Sequence, residues 1–68
     1  MIDIQINGEA TTLQENTTIN QLLTERFGTN LKGIAVAFNG RLAKRMEWVD
    51  LIISEGDTIE ILHAVAGG

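Results

Sequence analysis

The sequence predicts an α+β fold in which one main helix packs across a mixed sheet of four or five strands. Three observations carry that reading. Isoleucine recurs at every second position at the start of the chain, at Ile2, Ile4 and Ile6. Two Asn-Gly pairs, Asn7-Gly8 and Asn39-Gly40, each lie between strand-like runs. Between those pairs sits one amphipathic stretch with both a start and a stop signal, residues 18–28. The predicted order is β-β-α-β-β-β.

The isoleucines alternate with Asp3, Gln5 and Asn7, and period two with β-branched residues marks a strand buried on one face. Asn7-Gly8 tolerates positive φ at both positions and signals a tight hairpin turn. Residues 9–13 return as a second, weaker strand, favoured by Thr11 and Thr12. After a polar break, Thr18 and Gln21 have the spacing of a capping box. Ile19, Leu22, Leu23 and Phe27 then share one helical face. Gly28 is placed to end the helix in a left-handed C-cap.

Residues 33–39 read as a strand with two unlike faces. Ile34, Val36 and Phe38 form a large-residue core face; Ala35 and Ala37 form a small outer one. Asn39-Gly40 turns into a short strand near residues 41–44. Residues 46–53 fit either a short helical turn or an irregular crossover. Ser54-Glu55-Gly56-Asp57 is a turn, and residues 58–64 form the last strand. Ile59, Ile61 and His63 are expected on one of its faces, Glu60 and Leu62 on the other.

Composition narrows the function. Sixty-eight residues make one domain, near the lower limit for folding on a hydrophobic core alone. The chain has no cysteine. That excludes a disulfide, a thiolate zinc site, a redox pair and a persulfide or thioester on its own thiol. With no tyrosine and a single histidine, a catalytic constellation is hard to assemble, and no catalytic or metal-binding residue is expected. The net charge of -4 argues against a nucleic-acid surface and suits docking onto a basic partner. The start lacks a basic segment followed by an apolar run, and no apolar run approaches the roughly 20 residues that span a bilayer. The expectation is a cytoplasmic protein, off the membrane and monomeric when free.

The end of the chain is the unusual part. Ala64-Val65-Ala66-Gly67-Gly68 carries no charge beyond the terminal carboxylate. It divides the chain into a domain, residues 1–63, and a flexible tail, residues 64–68. Glycine lacks a Cβ, so such a tail can enter a narrow groove and approach a nucleotide closely. The four residues after Ala64 reach about 13 Å when extended. Taken alone, small residues at a terminus also fit a frayed end.

Fold plan and diglycine together resemble the ThiS family of sulfur carrier proteins of thiamin biosynthesis, within the ubiquitin-like β-grasp superfamily. The resemblance covers nearly the whole chain. It rests on Val65-Ala66-Gly67-Gly68, on Ala35-Val36-Ala37-Phe38-Asn39, on Arg45 and Trp48, and on Glu55-Gly56-Asp57. One departure is Lys44, where members often have proline. The resemblance implies that the first and last strands are neighbours at the sheet centre. It implies that a ThiF-like adenylating enzyme joins the Gly68 carboxylate to AMP, consuming ATP, with no cofactor bound by the carrier itself. A sulfur donor protein then leaves a thiocarboxylate on Gly68, which passes sulfur to a ThiG-like thiazole synthase. Val65, Ala66 and Gly67 are the expected tail-recognition residues, with Ala64 and Val65 partly in the last strand and Ala66 and Gly67 as the mobile neck. Carriers for molybdopterin or tRNA thiolation, and ubiquitin-like modifiers, share the fold and the Gly-Gly and stay open as alternatives.

Other residues have plainer readings. Leu62, Ala35 and Ala37 share a face if the strands are in register, and form a candidate partner surface. Trp48 reads as core under the crossover or as an interface anchor. His63 reads as a strand residue filling the sheet, or as a docking contact or general acid near the tail. Lys44 and Arg45 read as a solvated turn or a contact to partner acids. Glu55-Gly56-Asp57 lacks the spaced oxygen ligands of a calcium loop and reads as a turn.

Overall fold

The computed structural model describes residues 1–64. Alternation at the N-terminus produces β1 (Ile2–Ile6), with the three isoleucines buried and Asp3 and Gln5 exposed. Asn7 and Gly8 take φ of 50° and 83°, and the chain returns as β2 (Glu9–Leu13), paired antiparallel from Ile6↔Glu9 to Ile2↔Leu13. Helix α1 (Ile19–Phe27) starts at a complete capping box. The Gln21 amide donates to Thr18 Oγ1 at 3.1 Å, and the Thr18 amide donates to Gln21 Oε1 at 2.9 Å. Two of the unpaired amide donors at a helix start are thus satisfied.

Strands β3 (Ile34–Phe38) and β4 (Arg41–Ala43) form the second hairpin, and β5 (Thr58–His63) completes a five-stranded sheet in the order β2-β1-β5-β3-β4. The β1–β5 pairing is parallel and every other pairing antiparallel, so the sheet is mixed. The first and last strands are indeed neighbours at its centre. Residues 46–53 combine both forms expected for them. A 3-10 turn (Arg45–Glu47) leads into an irregular crossover, which Ile52 ties to Thr18 by an isolated bridge.

One face of the sheet packs on α1. Ile2, Ile4, Ile6, Val36, Ile59 and Ile61 from the strands meet Ile19, Leu22 and Leu23 from the helix. The crossover supplies Trp48 and Ile53, each 2% exposed, and the loop after α1 supplies Leu31. Trp48 is therefore a core residue. Its indole N–H donates to the Ala43 carbonyl at 3.0 Å, so the one polar atom it buries is paired. Burial of one large aromatic side chain matters in a chain this short.

One expectation needs correction. Gly28 ends the helix at φ 78° but with ψ -157°, which is not the left-handed helical region; its amide still donates to Thr24 at 2.8 Å. The glycine is needed for the sign of φ, not for a helical continuation. Phe27 and Phe38 pack against the core as expected, half-buried because each lies at its margin. Ile34 is half-buried for the same reason, which leaves Val36 as the fully buried residue of β3.

Candidate functional site

The root of the tail is built from the central strand. β5 is paired along its length with β3, from Phe38↔Ile59 to Ile34↔His63. The pairing goes one step further, because the Ala64 amide donates to the Gly33 carbonyl at 2.8 Å. On its other side β5 meets β1 over a shorter span, Gln5↔Thr58 and Ile6↔Ile59. There β1 turns away, and the turn residue Asn7 takes over, its amide donating to the Ile59 carbonyl at 2.8 Å and its side chain reaching Ile61.

The second Asn-Gly turn grips the start of the same strand. Asn39 Oδ1 accepts from the Thr58 amide at 2.8 Å, and Asn39 Nδ2 donates to Asp57 Oδ1 at 3.0 Å. Asp57 Oδ2 accepts from the Ser54 amide at 2.7 Å, and Glu55 Oε1 accepts from the Asp3 amide at 2.9 Å. The carboxylates of the Glu55-Gly56-Asp57 turn therefore serve the backbone. Among the described residues no group of three or more His, Cys, Asp or Glu is arranged to hold a metal ion.

The sheet face away from α1 carries an apolar strip. Ala35 lies opposite Leu62, and Ala37 lies opposite Glu60 on β5 and Leu42 on β4. Leu62 is 70% exposed and Leu42 is 72% exposed. The predicted trio Leu62, Ala35 and Ala37 is thus brought together on one open face. Leu42 extends it and escaped the sequence reading. Its strand is three residues long, too short for alternation to mark a face. The two alanines keep the middle of the strip low, with a leucine on either side and Glu60 as its one acid from β5.

His63 lies on the opposite face, at the end of β5. Its ring meets the edge of Phe27 at a centroid distance of 5.1 Å and an interplanar angle of 69°. It is exposed and makes an aromatic contact with the helix rather than filling the sheet. Lys44 and Arg45 are exposed; the Lys44 amide donates to Glu47 Oε1 at 2.8 Å, and the Arg45 guanidinium stands 6.0 Å from the Trp48 ring centroid. Val65, Ala66, Gly67 and Gly68, which the sequence singles out as the reactive tail, lie outside the described residues. No helix among the described residues is long and apolar enough to cross a membrane.

One α-helix among the described residues, lying across a mixed sheet in this order, defines a small β-grasp protein. Residues 4–68 match the model of the ThiS family. The sulfur carrier protein ThiS of Escherichia coli is 30% identical over 67 residues, covering 98% of this chain and all of the relative. That of Thermus thermophilus is 34% identical over 65 residues, covering 96% of this chain and 98% of the relative. The crystal structure of the thiamine biosynthesis protein ThiS from Geobacter metallireducens superposes with a TM-score of 0.81 at 23% identity, over 98% of this chain and all of the other. This last likeness speaks for the fold. The chain belongs to the ThiS family of sulfur carrier proteins.

Proposed function

We propose that this protein carries sulfur for thiazole formation in thiamin biosynthesis, as a thiocarboxylate on Gly68. The observation that carries the reading is the family match, which runs through residue 68 and so includes the Gly-Gly. A carboxylate is a poor electrophile and must first be activated. In the proposed sequence a ThiF-like enzyme lets the Gly68 carboxylate attack the α-phosphorus of ATP, releasing pyrophosphate and forming an acyl-adenylate. The persulfide of a donor protein attacks the acyl carbon and AMP leaves; a second thiol then attacks the donor sulfur of the resulting acyl disulfide, forming a disulfide with the donor and releasing the Gly68 thiocarboxylate. A ThiG-like synthase then takes the sulfur. The carrier is a cosubstrate: ATP is consumed in the partner's site, in the cytoplasm, and the carrier binds no cofactor.

In this reading residues 64–68 are the presenting tail, with Val65, Ala66 and Gly67 recognised along a partner's channel. The strip of Leu62, Ala35, Ala37 and Leu42 is the docking face. Its support is exposure and register: large apolar side chains on an open sheet face beside the strand that leads to the tail. The test is rescue of a bacterial strain lacking its own thiazole sulfur carrier. Growth without thiamin is expected with the full chain and not with a chain ending at Gly67. Failure of the full chain, expressed and folded, to restore growth would overturn the thiamin assignment.

A further inference from the structure

Gly33 stands at the point where the tail leaves the sheet. It has φ +77°, and a Cβ built on it would lie 2.7 Å from the Ala64 carbonyl oxygen. That neighbour is backbone, so a side chain at position 33 must displace the Ala64 peptide itself. The same residue accepts the Ala64 amide at 2.8 Å. Ala64 thus meets Gly33 twice: its amide is bonded to the Gly33 carbonyl, and its carbonyl oxygen occupies the space that a Cβ at position 33 would need.

We propose that Gly33 is a positioning residue for the tail chemistry, acting through Ala64 to fix where and in which direction the tail departs. The inference deepens the carrier reading and rests on it. The tail must deliver one carboxylate to ATP in a partner's site, and a displaced Ala64 moves the point from which it starts. Gly28 shows that the effect is particular to position 33: it has the same sign of φ, +78°, but nothing lies within 4 Å of a Cβ there. Replacing Gly28 by alanine adds backbone strain alone. Replacing Gly33 adds a clash with the Ala64 backbone as well and moves the tail root.

The experiment compares Gly33→Ala, Gly28→Ala and the unaltered chain as substrates of a ThiF-like adenylating enzyme, by ATP–pyrophosphate exchange, with amide exchange at Ala64 read by NMR. Gly33→Ala is expected to lower kcat by about 10- to 100-fold, the cost of a misplacement on the order of 1 Å, while KM changes little because the docking face is intact. Protection of the Ala64 amide falls in the same variant. Gly28→Ala keeps both kcat and Ala64 protection. Equal kcat in Gly33→Ala and Gly28→Ala overturns the positioning role. If the unaltered chain is not adenylated, the carrier reading itself falls and the role of Gly33 falls with it.

Discussion

Asn7 grips both backbone groups of Ile61 with one side chain: Oδ1 accepts from the Ile61 amide at 2.8 Å and Nδ2 donates to the Ile61 carbonyl at 3.2 Å. The asparagine stands in for the strand residue that β1 no longer provides once it turns into β2. Without it, a buried residue of the central strand would face the β1 side with an unpaired amide and carbonyl. The finding explains why that turn favours asparagine beyond its tolerance of positive φ.

Asn7→Gly keeps the left-handed φ of 50° accessible and removes both bonds. The variant should lose about 1–2 kcal/mol of unfolding free energy, a cost typical of stripping partners from part-buried backbone groups. Urea unfolding reads the loss as a lower midpoint with unchanged slope. Asn39→Gly removes the analogous contacts to the more exposed Thr58, where water can replace the side chain, and should cost less than about 1 kcal/mol. Equal losses in the two variants would contradict the account.

Trp48 tests the core in two steps. Trp48→Phe keeps most of the ring volume but leaves the Ala43 carbonyl without its donor and should cost about 1–3 kcal/mol. Trp48→Ala opens a cavity and should cost about 3–5 kcal/mol, a large share of the whole stability of so small a domain. Near-UV circular dichroism loses the tryptophan signal in both, so unfolding is better followed in the far UV.

Thr18→Ala removes the acceptor for the Gln21 amide and should cost about 1 kcal/mol. Gln21→Ala removes the reciprocal bond from Gln21 to the Thr18 amide. The double variant should lose less than the sum of the singles, since each side chain orients the other. Additive losses measured by urea unfolding would show two independent bonds.

The exposed leucines separate folding from docking. Leu62→Asp and Leu42→Asp should leave the unfolding midpoint nearly unchanged, because both side chains are more than two-thirds exposed. Affinity for the adenylating enzyme should fall by about 10- to 30-fold in Leu62→Asp, the loss expected of an apolar anchor. Unchanged affinity by titration calorimetry in both variants would remove this face from the proposed interface.

Local rules account for what was legible in the sequence. Period-two isoleucines, two Asn-Gly turns and a Thr18–Gln21 box each act within a few residues, and each produced the element it announces. The contacts that matter at the tail root act across the chain. Asn7 and Ile61 are 54 positions apart, so the second task of that side chain is invisible in the turn motif. Gly33 reads locally as the first residue of a strand, and its close approach to Ala64 exists only once β3 and β5 pair. Leu31 and Ile53 are buried yet lie in segments without periodicity, where no pattern marks a core residue. Of the predicted site, the strip of Ala35, Ala37 and Leu62 followed from alternation alone. Leu42 was missed because a three-residue strand offers too few positions to show a period.

The central claim is that Gly68 is the atom-bearing end of a sulfur carrier, and intact mass spectrometry tests it most directly. The protein is incubated with a ThiF-like adenylating enzyme, ATP and a sulfur donor, and its C-terminal peptide is then fragmented. The account predicts an ATP-dependent exchange of one oxygen for sulfur, located on Gly68 and lost when the chain ends at Gly67. An unmodified Gly68 under conditions that convert a known carrier, or a Gly68 joined instead through an amide to lysines of other proteins, would contradict it.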